Sequence, residues 1–266
     1  MGTLGPMRSM KSMLERYVRV QTQDGKIYYG LLQVDRSVHV FEGPPWRTKV
    51  FSNLILPPVK YRFLAPCIPS KVVGIDYDNS INGAENSAPA IFLKPPTTII
   101  GPKSLVPYPE CSRHVDAEGE LAIVIGQRCK NCSPETAEQF IWGYTIATDL
   151  TARDLEVQDQ RSARAKGFDG FCPLGPWIVP NLSLSSCLKT FINEELRQSH
   201  SLLNTRLAPA EILSHISHVM ALLPGDVILT GASARVGPLS VGDRIRIEIE
   251  SVGSLENQIS QPTACV

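Results

Sequence analysis

The sequence predicts an α+β protein that is mostly β. Short strand-like runs dominate, and the plainest is Arg244–Glu250, where Ile245, Ile247 and Ile249 alternate with charged residues. Helical patterns are few, and only Ala210–Leu222 carries a clear amphipathic face. A chain of 266 residues with 43% hydrophobic content can bury a proper core, as one large domain or as a domain with an appendage.

Bulk properties exclude several classes. Basic and acidic residues cancel, 26 against 26, so neither a nucleic acid nor an acidic membrane surface is expected as the main partner. No apolar run approaches the ~20 residues that cross a bilayer. The start, MGTLGPMRSMKSMLERY, lacks the apolar centre of a secretory signal, and residues 1–13 read as a disordered lead. Seven cysteines, an odd number scattered from Cys67 to Cys265, suit a reduced cytoplasmic protein better than a disulfide scaffold. Cys129 and Cys132 form a lone C-x-x-C. A redox pair or half a zinc site are its functional readings, and solvent-exposed free thiols in a turn are the expectation.

Taken in order, Arg16–Val20, Lys26–Leu32 and Val38–Phe41 read as strands, with Asp24-Gly25 as a tight turn. Residues 14–66 form a small β-rich N-terminal domain, closed by Pro57-Pro58 and Pro66. His39 falls in this alternation as a surface or packed residue. A second domain spans 70–260 and begins with the buried-strand pattern Lys71–Ile75. Ala90–Lys94 and Thr97–Gly101 follow as short strands. Lys94 either faces a site or supports the Pro95-Pro96 corner.

The best-placed carboxylates come next. Glu118 and Glu120 stand two apart at the head of the apolar run Leu121–Ile125, so a strand puts both on one face. Ser133-Pro134-Glu135 opens a helix to about Phe140. The strand Ile141–Thr148 then returns and ends at Asp149. If the two strands pair, three carboxylates meet. Such a set suits Mg²⁺, Mn²⁺ or Ca²⁺ better than zinc. A hairpin with acids on a wet face fits the same spacing.

Thr151 caps a helix over Ala152–Gln160, and Arg153, about one turn after Asp149, leans over the same place. It either holds a substrate carboxylate or pairs with Asp154 or Glu156. Arg161–Asp169 is a basic loop. Cys172 lies among apolar neighbours ahead of the strand Trp177–Val179. A hairpin turns at Asn193-Glu194. His215 and His218 sit three apart on the helix after Pro209, where a wet or packed face is preferred to a metal pair. Val227–Thr230 and Ser254–Ile259 complete the strands.

VDAEGELAIVIG, GYTIATDLTARDLE, RAKGFDGFCPLGPWIV and LLPGDVILTGASARVG occur in that order. Together they resemble the catalytic C-terminal domain of the fumarylacetoacetate hydrolase family, from about Ser70 to Ile259. The resemblance implies a mixed β-sandwich roll, usually a homodimer. It implies Mg²⁺ or Mn²⁺ held by Glu118, Glu120 and Asp149, and small 2-oxo or enol acids as substrates. Lys166 in AKGFD matches the family's active-site lysine, which stabilises enolate charge. Arg153, Tyr77 and Thr230 are the implied substrate contacts.

Two departures bear on activity. Where the family carries a histidine and a glutamate as a base pair, ungapped alignment gives Ser80 and Gly83, and Glu85 fits only with a shift. Where it carries a second threonine after Thr-Gly, the chain has Ala232, followed by Ser233. Glu156 replaces a frequent glutamine. The expected chemistry is metal-assisted isomerisation, decarboxylation or C–C hydrolysis. The alternative is a member that binds metal and metabolite without turnover.

Overall fold

The computed structural model describes residues 15–77 and 89–262. Ser80, Gly83, Glu85 and the N-terminal lead lie outside the described residues. Five strands come first, β1 (Tyr17–Thr22), β2 (Ile27–Leu32), β3 (Val38–Phe41), β4 (Phe51–Leu56) and β5 (Tyr61–Phe63). Then follow β6 (Val72–Asp76), β7 (Ala90–Lys94), β8 (Ile99–Ile100), β9 (Leu105–Pro107) and the long β10 (Val115–Ile125). Helix α1 (Pro134–Ala137) leads to β11 (Ile141–Ala152), α2 (Arg153–Asp159), α3 (Ser162–Lys166) and β12 (Cys172–Val179). The remainder is β13 (Cys187–Ile192), β14 (Glu195–Ser201), α4 (Pro209–Val219), β15 (Val227–Leu229), β16 (Arg244–Ile249) and β17 (Gly253–Ser260).

A large sheet runs β4-β3-β2-β1-β12-β11-β10-β15-β6-β7, with β5 on β1 and β8 on β12. A five-stranded sheet runs β14-β13-β16-β17-β9. The mostly β, mixed-sheet architecture is the one the sequence predicts. The pairing of β1 with β12, through Tyr17 and Ile178, makes the N-terminal strands an extension of the large sheet.

Alternation along β10 assigns its two faces. Val115, Ala117 and Leu121 pack with Leu188, Ile247, Leu255 and others from the second sheet. Ala122 and Val124 on the opposite face join Tyr17, Phe41, Phe92 and Val227. Beyond the second sheet's reach, Ile123 and Ile125 are covered by Ile212, Leu213 and Ile216 of α4. That helix starts at Pro209, and Glu211 accepts from the Ala208 N–H at 2.7 Å, as the first turn of a helix requires. Asp226 is fully buried before β15 and accepts from Ser70, Lys71 and Leu223, tying three segments together. Among the described residues, no helix is long and apolar enough to cross a membrane.

Several local expectations need correction. The strands β10 and β11 are longer than the apolar runs, because polar residues alternate with buried Val115, Ala117 and Leu150. Thr151 lies inside β11 and caps nothing; its hydroxyl accepts from Lys166. The expected loop over Arg161–Asp169 contains α3. Cys129 and Cys132 are not exposed but 1% and 6% accessible. Cys129 exchanges backbone hydrogen bonds with Leu222, and Cys132 N–H donates to Ser217 Oγ, so the end of α4 covers the turn. His215 and His218 do not form a pair: each ring lies beside a different backbone carbonyl, Pro89 and Ser214.

Gly119 is where the two sheets come closest to the carboxylates. A Cβ there would lie 2.3 Å from Thr190 Oγ1 and 3.3 Å from Ile247 Cδ1. Thr190 cannot swing aside cheaply, since it is fully buried and donates to Gln198 at 2.8 Å. Gly119→Ala is therefore expected to destabilise the fold by about 1–3 kcal/mol through overpacking. Urea denaturation checks this, and an unchanged midpoint would refute the close contact.

Candidate metal centre

Antiparallel pairing of β10 with β11 sets Glu118 directly opposite Asp149. Directly opposite residues share a face, and so do residues two apart. Glu118, Glu120 and Asp149 therefore converge, and each offers a carboxylate oxygen within 4.8 Å of the others. The alternative of acids on a wet face does not hold for two of the three: Glu120 is 2% and Asp149 1% accessible.

Buried like charges need compensation. Lys166, at the end of α3, donates to Asp149 Oδ2 at 2.5 Å and Thr151 Oγ1 at 2.8 Å, and lies 3.3 Å from Glu118 Oε2. Lys94 reaches the same carboxylate from the other side, 2.5 Å from Asp149 Oδ1, and caps the Leu150 carbonyl at 2.9 Å. Of the two roles open to Lys94, the site-facing one and the structural one, the geometry serves both. Burial works against both ammoniums. It depresses the Lys94 pKa, whereas Asp149 and Glu118 raise that of Lys166 above its ordinary value.

The carboxylates respond unequally. Burial alone would raise Asp149, but Lys166 and Lys94 hold it below the usual range. Burial raises Glu118 against the pull of Lys166 and Arg153. Glu120, fully buried beside the Asp149 and Glu118 charges, is pushed well above the ordinary carboxylate value. The Gly231 N–H at 2.6 Å is its hydrogen-bond donor.

Arg153 opens α2 and does lean over the site. Its Nη2 donates to Glu118 at 2.7 Å, its Nη1 to Glu156 at 2.8 Å and its Nε to Asp116 at 3.2 Å. The pairing with Glu156 is one of the two considered from sequence. Asp154 instead accepts from Ser112 and Arg113 and pins the preceding turn. His114 lies 3.0 Å from Asp116, outside the carboxylate trio.

The strand β15 leaves β10 at this place. Thr230 still bonds the Leu121 carbonyl, and the chain rejoins at Val236, bridged to Ala117. The intervening loop bows past Glu118 and Glu120, and Gly231, Ala232 and Arg235 line the pocket with Tyr77 and Phe92. Gly231 has φ +85°, and a Cβ there would meet the Tyr77 ring at 2.7 Å. The Tyr77 hydroxyl has no hydrogen-bond partner among the described residues, and burial with nearby Glu120 pushes its pKa up to about 12. The Phe92 ring lies 4.5 Å from the Lys166 Nζ.

The Thr230 hydroxyl donates to the Leu121 carbonyl at 3.0 Å, and the two residues after it line the pocket. Sequence reasoning missed Asp116 and Arg235. Asp116 carried a signal, since it precedes Glu118 by two in the same strand. Arg235 carried none, because its approach to the site depends on the path of the loop.

A divalent cation fits this donor set. The trio offers oxygen only, from one face of a rigid strand pair, as hard cations require. Half-buried Glu118 lies beside the buried Glu120 and Asp149, and a dication relieves that repulsion.

The chain's residues 75–260 match the family model of the fumarylacetoacetate (FAA) hydrolase C-terminal domain, and residues 15–66 match an Rv2993c-like N-terminal domain. The crystal structure of a 2-hydroxyhepta-2,4-diene-1,7-dioate isomerase from Mycobacterium marinum superposes with a TM-score of 0.86 at 37% identity, covering 93% of this chain and 98% of that one. The oxaloacetate tautomerase YisK of Bacillus subtilis is 37% identical over 183 residues, 64% of this chain and 61% of that protein. A maleylpyruvate hydrolase from Sphingobium sp. SYK-6, in complex with a manganese(II) ion and pyruvate, matches with a TM-score of 0.76 at 27% identity, covering 93% of this chain and 100% of that one. The chain belongs to the fumarylacetoacetate hydrolase family.

Proposed function

We propose that the chain is a divalent-metal-dependent enzyme acting on small 2-oxo or enol acids. Keto–enol isomerisation is the leading outcome, with decarboxylation or C–C hydrolysis of an acylpyruvate-like compound as the wider range. The observation that carries this is the Lys166 ammonium, its side chain 3% accessible, held against Asp149 and Glu118 at the edge of an oxygen-only trio. Its relatives include proteins named as an oxaloacetate tautomerase, a bifunctional isomerase/decarboxylase of 4-hydroxyphenylacetate degradation and a maleylpyruvate hydrolase.

Glu118, Glu120 and Asp149 would hold Mg²⁺ or Mn²⁺, which supplies Lewis acidity toward the substrate's 2-oxo oxygen. Lys166 stays an ammonium and neutralises negative charge that develops on the substrate oxygen, an interaction strengthened by the lack of water around it. Arg153 holds Glu118 in place and is itself fixed by Asp116 and Glu156. The Phe92 and Tyr77 rings wall the pocket and limit water.

Oxaloacetate tautomerisation, followed by ultraviolet absorbance with Mg²⁺, with Mn²⁺ and with EDTA, tests the reading. Activity is expected with either ion and is abolished by EDTA. Glu118→Ala should lose at least ~100-fold, as expected where a metal supplies the electrophile. A wild-type rate indifferent to EDTA would defeat the metal assignment. Metal-dependent ligand binding without turnover of oxaloacetate or acylpyruvates would favour a binding protein, the alternative suggested by Ser80 and Ala232.

Lys166→Met is expected to lower kcat by about 10²–10³-fold, the usual effect of removing a charge-stabilising donor. Metal binding, read by calorimetry, should survive this change. Retained kcat would remove Lys166 from the chemistry.

A further inference from the structure

A second pocket lies away from the carboxylates and shares no lining residue with the one around them. It holds about 490 Å³, within the roughly 300–1,000 Å³ of small-ligand sites. Three stretches form it: the turn between β2 and β3 at Arg36, the chain from Pro58 through β5, and the turn between β8 and β9 at Lys103. The first two fall in the segment matched by the N-terminal model, the third in the larger segment. The pocket therefore sits on the seam between them, where the Lys103 N–H donates to the Glu256 carbonyl of β17 at 2.7 Å.

Its charge is one-sided. Arg36, Arg62 and Lys103 are the charged residues of the wall, with no acid among them, in a chain whose charges otherwise cancel. Among the described residues, neither the Arg36 guanidinium nor the Lys103 ammonium has a hydrogen-bond or ion-pair partner. Arg62 donates from Nε and Nη2 to the Gln21 amide oxygen at 3.0 and 2.6 Å, which orients its plane and leaves its charge uncancelled. Asp35, the acid beside Arg36, accepts from the Ser37 N–H and hydroxyl at 2.9 and 2.7 Å and closes its own turn.

The rest of the wall is apolar. Pro58, Val59 and Pro102 join the Tyr61 and Phe63 rings, which meet edge to face at 5.5 Å. The Tyr61 hydroxyl donates to the Arg36 carbonyl at 2.5 Å, so the ring wall and the cationic turn are held together. Arg36, Val59 and Lys103 also stand at φ +66°, +67° and +61°, three of the seven non-glycine residues with left-handed backbone among those described. Glycine would take each position at less cost, and a β-branched valine takes it worst. Three such positions on one hollow favour a use for the hollow over simple turn-making.

We propose that this pocket binds a nucleotide, its phosphates among Arg36, Arg62 and Lys103 and its base against Tyr61 and Phe63. Clustered phosphate charges match three cations, and a guanidinium plane offers paired N–H donors to phosphate oxygens. A flat heteroaromatic ring suits a wall of aromatic and proline side chains. The assignment is independent of the reaction at the carboxylates.

Isothermal calorimetry of the full chain with ATP, inorganic triphosphate and adenosine tests it, in Mg²⁺ and again in EDTA. ATP is expected to bind in both, with triphosphate and adenosine each at least about tenfold weaker, because each lacks one set of contacts. The Phe63 ring meets Trp177 at 5.9 Å, so ATP should also change tryptophan emission. Arg36→Ala combined with Lys103→Ala should weaken ATP and triphosphate by at least about tenfold. Adenosine affinity and the thermal midpoint should stay unchanged, since both side chains are exposed. No ATP binding, or ATP binding that the double variant leaves unchanged, would overturn the proposal. So would binding lost in EDTA, which would mark the carboxylate trio instead, or triphosphate bound as tightly as ATP, which would mark a bare patch of cations.

Discussion

The structure turns on three carboxylates packed onto one face of a buried strand pair. Glu118 and Asp149 face one another across β10 and β11, and Glu120 follows one pleat on. Placing such charge out of water is costly unless cations or donors answer every oxygen. The surrounding architecture supplies those answers. Lys94 comes from β7 and Lys166 from α3, one on each oxygen of Asp149. Arg153 comes from α2 to Glu118, and a backbone N–H from the loop after β15 to Glu120. Four separate elements are thus held to the centre by electrostatics as well as by packing.

Close backbone approach makes this possible. Gly119, between two of the acids, lets the five-stranded sheet touch β10 through Thr190. Gly74 on β6 lets the tip of the Phe92 ring from β7 come against it, where a Cβ would be 2.0 Å from Cζ. That ring then faces the Lys166 ammonium. Gly231 gives the loop its left-handed turn and accommodates Tyr77. Gly74 and Gly231 remove side chains where the site needs a wall, and those two walls are aromatic, which keeps the ion pairs dry.

The charge inventory also divides labour among the basic residues. Lys166 and Lys94 are enclosed and their ammoniums face carboxylates of the strand pair. Arg153 is an internal brace, spanning Asp116, Glu118 and Glu156. Arg235 is half-exposed on the rim. A site built this way has its anion-stabilising groups placed before a ligand arrives, which is the condition for electrostatic catalysis.

Much of this was legible in the sequence. The i, i+2 spacing of Glu118 and Glu120 determines a shared face in any strand, and the apolar runs after them and before Asp149 mark two strands able to pair. Strict alternation in Arg244–Glu250 and the Pro209 helix start were likewise local facts, and the structure keeps them. Other features depended on contacts between distant residues. Whether the acids are wet or buried, which of Asp154 and Glu156 takes Arg153, where the Thr230 hydroxyl turns and how Arg235 reaches the rim were decided by register and loop path. The exposure expected for Cys129 and Cys132 failed for the same reason, because α4, some eighty residues later, folds back to cover them. Side-chain periodicity is a property of neighbours in the chain, whereas burial, charge compensation and the closing of a pocket belong to groups that meet only when the sheets are assembled.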